Sequence, residues 1–287
     1  MLIRLTRTPR LLLALVRERY ASPGRVREPE PMIMDDPEAV AGFHEAGSET
    51  SLPVYDFNAR AIAHLLPAGG RLLDLGSGSA RLLGYLAQRR PDVRIIGCEL
   101  SNVMLDLGRQ WIAKIGIDDR VELRKLDMTE VARYVPEQIH VVSCVWALHH
   151  LPSDDRVAAC LHNIEQIRRR TGCAVWLFDF VRCRDARTFP AVADAVRTPG
   201  PVAIREAIAS ERAAFTFQEL RTQLDAAGLG DLRGAEDRFL GTYQCHWAPG
   251  SATSKETANL WENGVLSWNL RVLAAVLRRC FPEDVGS

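Results

Sequence analysis

The residues best suited to chemistry lie in the run Leu72-Leu73-Asp74-Leu75-Gly76-Ser77-Gly78-Ser79-Ala80-Arg81. An apolar strand enters a glycine turn and a helix leaves it, so backbone N–H groups can approach a bound cofactor closely. Asp74 stands two residues before the first glycine. A pyrophosphate at this helix N-terminus is repelled by the carboxylate, whereas a ligand carrying an ammonium and a sulfonium is attracted. S-adenosylmethionine (SAM) carries both. A dinucleotide asks for G-x-G-x-x-G, and Arg81 takes the sixth position. Ala80 in turn takes the last glycine of the SAM pattern, and an unliganded turn is the third reading.

The next strand, Val93 to Glu99, ends in an acid 21 residues after Gly78. A carboxylate there can hydrogen-bond both ribose hydroxyls of a nucleoside, in NAD and SAM alike. Leu126-Asp127-Met128 closes a third strand and suits an adenine, the carboxylate taking the exocyclic amine and the methionine covering the ring. A fourth strand ends at Cys144-Val145 before His149-His150, and a fifth ends at Phe178-Asp179-Phe180. The carboxyl ends of strands in a doubly wound sheet face the ligand crevice, so a histidine of this loop and Asp179 can converge. Asp179 would then fix the imidazole tautomer and stabilise the imidazolium.

Asp74-x-Gly76-x-Gly78, Glu99, Asp127-Met128 and Trp146-Ala147-Leu148-His149-His150-Leu151-Pro152 resemble, in order and spacing, the successive motifs of class I SAM-dependent methyltransferases. The resemblance covers about residues 50–180 and extends weakly to about 248. It implies an α/β fold with a doubly wound, seven-stranded, mostly parallel sheet and one antiparallel strand near the edge. It implies SAM as cofactor and S-adenosylhomocysteine as product, with contacts from Asp74, Gly76, Ser77, Gly78, Glu99, Leu100, Asp127, Met128 and Trp146. The His-His loop paired with a strand-end aspartate resembles natural-product O-methyltransferases, which implies His149 as general base beside Asp179. Tyr55 and His150 are the candidate substrate contacts.

Around these motifs the expected plan is a basic amphipathic helix and linker over 1–31, a methyltransferase domain over 32–250 and a C-terminal helical extension over 251–287. Residues 183–214 form an insertion after the fifth strand, on the substrate side. Ser101, Ser153 and Thr216 are expected helix N-caps, the last in a capping box with Glu219. Lys+Arg and Asp+Glu both number 36, so no global basic field argues for nucleic acid. The longest apolar run near the start, Leu11 to Val16, is too short to span a membrane. The 7 cysteines have no paired spacing and fit buried thiols in a reducing cytoplasm. Histidines and cysteines lack a metal-ligand spacing, so no metal is expected.

The expected function is methyl transfer from SAM to O or N of a small molecule of specialised metabolism, with the terminal extensions offering a homo-oligomer contact. Methyl transfer to C or S by proximity alone is the alternative within the class. A Rossmann reductase and an inactive interaction module are the alternatives outside it. The first lacks its third glycine, and the second is expected to lose Asp74 or Glu99.

Overall fold

The computed structural model describes residues 8–22, 24–49, 51–135, 138–195, 201–237, 241–253, 275, 277–279 and 281. The expected helical pattern over 251–281 falls almost wholly outside these residues. The central unit alternates β1 (Arg71–Leu75), β2 (Arg94–Glu99), β3 (Val121–Lys125), β4 (Val141–Val145) and β5 (Ala174–Phe180) with α4 (Arg81–Arg89), α5 (Asn102–Lys114) and α6 (Asp154–Thr171). After β5 come α7 (Thr188–Ala195), α8 (Pro201–Ala213), α9 (Phe217–Ala226), β6 (Arg233–Glu236) and β7 (Tyr243–Ala248). Before β1 lie α1 (Thr8–Tyr20), α2 (Pro37–Glu49) and α3 (Leu52–Leu65).

The strands form one seven-stranded sheet in the order β3-β2-β1-β4-β5-β7-β6. β1 through β5 pair in parallel, and β7 runs antiparallel to both β5 and β6. This is the sheet the motif order implies. Side-chain alternation divides the core into two layers. Leu72 of β1 and Trp176 and Phe178 of β5 pack among residues of α3, α4 and α5. Leu73, Leu75, Val175 and Leu177 face the other way, among residues of α6 and α9.

Strand order reverses between β1 and β4, which pair directly while their onward connections lead to opposite edges. A crevice opens at the carboxyl ends of strands at such a point. Asp74 and Gly76 end one of these strands, and Val145 and Trp146 end the other, so the sequence motifs meet there.

The caps hold the helices in register with the loops. The Ser101 hydroxyl accepts from the Met104 N–H, and Ser153 accepts from Arg156 N–H. Thr216 and Glu219 exchange both bonds of a capping box. The insertion 183–214 contributes α7 and α8, and α7 carries α1 on its outer side through Leu11, Leu15, Val192 and Ala195.

Candidate active site

The turn after β1 is tied to β2 before any ligand arrives. The N–H groups of Gly76 and Ser77 both donate to the Cys98 carbonyl, at 2.8 and 2.9 Å. Gly76 has φ +70°, and a Cβ there would lie 2.4 Å from the Ala147 Cβ. Two independent constraints therefore require glycine: a left-handed backbone and the close approach of the loop after β4. Ala80 also adopts φ 58°, in the place where the SAM pattern has its last glycine.

Glu99 is the hub of the second motif. Its Oε2 accepts from Gly78 N–H at 2.9 Å, and its Oε1 accepts from the N–H groups of Leu100 and Ser101 at 2.7 and 2.9 Å. These donors fix the carboxylate at the strand end, partly exposed to the cleft. Asp74 is buried and accepts from the Ser143 hydroxyl. Burial raises its pKa to about 7, with the Glu99 charge adding to the shift against the Ser143 hydrogen bond. An excess of negative potential at the turn suits a cationic ligand.

Asp127 accepts from Thr129 through both the backbone and the hydroxyl, and pairs with Arg156 at 2.6 Å. Burial opposes ionisation, but the Thr129 and Arg156 bonds outweigh it and keep the carboxyl below its usual range. Met128 is buried beside it.

One cleft gathers Asp74, Gly76, Ser77, Gly78, Glu99, Leu100, Asp127, Met128 and Trp146, together with Tyr55 and His150. Met32, Met34, Arg81, Leu82 and Met104 also line it, and sequence reasoning passed over them. Trp146 has φ 55° and is held by its N–H to the Phe178 carbonyl at 2.8 Å. Its ring stacks on Phe180 at 5.7 Å and meets Tyr55 at 5.9 Å. A non-glycine residue in this region of the map is strained, and the aromatic packing holds it there.

His149 and Asp179 come together one ring behind the cleft. Asp179 is buried at the end of β5, and its Oδ1 lies 2.5 Å from His149 Nδ1. The other oxygen accepts from the His149 backbone N–H at 3.1 Å. His149 Nε2 faces Glu30 at 3.2 Å, and the same Glu30 oxygen is 3.2 Å from His150 Nδ1. Burial disfavours the charged His149 ring, yet Asp179 and Glu30 together overcome that penalty and lift its pKa to about 9. His150 goes the other way, to about 4, through burial and the neighbouring imidazolium. The rings are 4.4 Å apart between centroids, which explains why only one is held charged. Glu30, His149 and His150 place three ligand-type atoms within 4.8 Å of one another. Glu30 and Asp179 thus flank the His149 ring, one at each nitrogen.

Glu30 is a residue that sequence reasoning missed. It sits in the stretch expected to be a linker, and the structure makes that stretch a strap. Arg25 pairs with buried Glu211 at 2.6 Å. Arg27 donates to the carbonyls of Ala213, His149 and Leu151, and its guanidinium lies 4.2 Å over the Phe215 ring. The Ser210 hydroxyl donates to Glu30, and the Ser101 hydroxyl donates to Asp35 at 2.6 Å. The proline-rich composition of 21–31 was the visible signal, and it reports a lack of regular structure rather than a lack of contacts.

The methyltransferase domain family matches residues 72–172, the span that holds the turn, Glu99, Asp127 and the His-His loop. Phosphatidylethanolamine N-methyltransferase of Cereibacter sphaeroides is 26% identical over 138 residues, which are 45% of this chain and 64% of that protein. Ubiquinone biosynthesis O-methyltransferase of Dechloromonas aromatica is 30% identical over 118 residues, 39% of this chain and 49% of that protein. The chain thus spans about half the length of the curated relatives it matches. Among solved structures, a SAM-dependent methyltransferase from Aquifex aeolicus superposes with a TM-score of 0.53 at 15% identity, over 75% of this chain and 98% of that one. Residues 72–172 therefore match a methyltransferase domain, and the whole sheet has the fold of the Aquifex aeolicus enzyme. The chain's relatives include enzymes named for O- and for N-methylation.

Proposed function

We propose that this domain transfers the methyl group of SAM to a hydroxyl or amine of a small molecule, a specialised metabolite, in the cytoplasm. The observation that carries this reading is the buried Asp179–His149 pair, placed at the end of β5 beside the SAM-type cleft. SAM is already an activated donor. What remains for the protein is to hold the nucleophile in line, exclude water and take a proton. As the nucleophile forms its bond to the methyl carbon, the carbon–sulfur bond breaks and its electron pair stays on sulfur. The proton leaves the nucleophile for His149 Nε2, and Asp179 stabilises the resulting imidazolium.

In the ligand-free arrangement Nε2 faces Glu30. A substrate hydroxyl or amine that takes Glu30's place separates one of the two carboxylates from the ring and lowers its proton affinity. Substrate entry then converts a charged ring into a base. Partners in this reading are the small-molecule substrate and SAM, with no nucleic acid. Relatives named for N- and O-methyl transfer support a nitrogen or oxygen acceptor. The occupied Nε2 favours a second reading, transfer by proximity alone.

Turnover of labelled SAM against small hydroxy- and amino-compounds, in wild type and His149→Ala, separates the two. The expected result is a loss of about 10²–10⁴-fold in kcat with SAM affinity unchanged. A near-normal kcat with the same pH profile removes the base and leaves proximity.

A further inference from the structure

Helix α1 has two apolar faces, and one of them has no partner among the described residues. Leu11, Ala14 and Leu15 point inward, Leu11 and Leu15 packing against Val192 and Ala195 of the α7 region. At 3.6 residues per turn, Leu12, Leu13, Val16 and Tyr20 fall together on the opposite side. They are 58%, 49%, 55% and 79% exposed. Arginines flank this strip on both edges: Arg19 on one, Arg10 and Arg17 on the other, all exposed. The helix's acid, Glu18, is turned inward, where it accepts from the N–H groups of Arg184 and Asp185 and from the Thr188 hydroxyl. The outer face is therefore apolar in the middle and purely cationic at its rims.

We propose that this face of α1 docks on an anionic phospholipid bilayer. Leu12, Leu13, Val16 and Tyr20 would enter the boundary between headgroups and acyl chains, and the arginines would meet lipid phosphates. An interfacial helix has this arrangement, with an apolar strip below and long cationic side chains that reach up to the headgroups. Charge and area both disfavour a second copy of the chain as occupant. A two-fold contact would set arginine rims against each other. Four partly exposed side chains offer on the order of 400 Å², against roughly 800 Å² per partner in a stable interface. No helix among the described residues is long and apolar enough to cross a membrane, which agrees with a helix lying in the surface. The location has a consequence for the site. The chain leaves α1 directly into the strap that carries Glu30 to His149, so the docked helix would hold the start of that strap at the lipid surface.

The test is co-sedimentation of the full chain with vesicles of phosphatidylcholine alone, or of phosphatidylcholine with phosphatidylglycerol, at low and high salt. Binding is expected on the anionic vesicles and to weaken with salt. Leu12→Ser with Val16→Ser should lower partitioning about tenfold or more, and Arg10→Gln with Arg17→Gln by several-fold at least. Both variants should keep the melting temperature and SAM affinity of wild type, because none of the four side chains packs inward. Equal partitioning onto both vesicle types, or an unchanged Leu12→Ser/Val16→Ser variant, overturns the proposal. So does a concentration-dependent dimer by light scattering that this variant abolishes, since the face would then belong to a second copy. Vesicle binding needs neither SAM nor turnover, so its failure is separate from any failure of the methyl-transfer reading.

Discussion

Asp74 and Glu99 do different work at the cofactor end of the cleft, and each has its own experiment. Asp74 is buried with a pKa near 7, so at about pH 6 it is largely protonated in the free protein. A cation bound nearby favours the carboxylate, and SAM binding should therefore release a proton at pH 6 and almost none at about pH 8. Titration calorimetry of SAM in buffers of different ionisation enthalpy measures that proton directly. Heats independent of buffer at pH 6 would mean that Asp74 does not sense the ligand. Glu99 is held in place by hydrogen bonds from three backbone N–H groups, so its role is to present an acceptor to the ribose. Glu99→Ala should weaken SAM by about 1–3 kcal/mol, the usual cost of losing charge-assisted hydrogen bonds. An unchanged dissociation constant in a folded variant would remove the ribose assignment. Both acids were legible in the sequence because each follows a short apolar run at a fixed distance from the glycine turn. The charge state of Asp74 was not, since it depends on Ser143 and on burial between neighbouring strands. Nor could the sequence reveal that Glu30 meets the far side of His149, 119 residues away.

At the scale of elements, the strap is the part of the site that local pattern could not predict. The caps at Ser101, Ser153 and Thr216 were readable because a cap bonds within three residues of itself. The strap's bonds join residues 25–30 to the loops after β4 and β5 and to α8, and Asp35 to Ser101 after β2, all far along the chain. Arg27 is its anchor, with bonds to three carbonyls on two separate segments and a stacked aromatic ring. Arg27→Ala should release the strap, leave those carbonyls to water, and loosen Glu30 from His149. The expected signature is twofold. Stability falls by about 1–3 kcal/mol, because bonds to a charged group are lost. The rising limb of the pH profile of kcat/KM, which reports the free enzyme, also moves to lower pH, because a ring facing one carboxylate holds its proton less firmly than a ring between two. A stability loss with an unmoved pH profile would make Arg27 an anchor of the fold and not of the site.

Across the whole molecule, a seven-stranded, mostly parallel sheet with an antiparallel strand near its edge was expected from the succession of motifs, while the electrostatic character of the interior came only from packing. That interior makes the protein's stability depend on pH in a way that isolates His149. Its folded pKa, about 9, is raised above the ordinary value of 6.5. A raised basic group contributes stability that is fully present below its unfolded pKa and is lost as pH rises through the folded one. Other buried groups contribute at the two ends of that window, and a His149 variant separates them from the ring. His44 and His150, lowered to about 4, have both states neutral above about pH 7. Asp74 is largely ionised in both states beyond its value of about 7. Cys98 and Cys160, raised to about 12, begin to penalise the fold only where unfolded thiols ionise. Between about pH 7 and 8.5 the unfolding free energy should fall by about 1–2 kcal/mol, as one proton held by the native ring is released only on unfolding. Urea titrations across this range measure the slope. In His149→Gln the slope should be shallower than in wild type by up to one proton, whatever the variant's absolute stability, because glutamine does not titrate; the remainder belongs to the buried thiols and Asp74. An unchanged slope in His149→Gln would show that the ring between Asp179 and Glu30 is neutral in the folded protein.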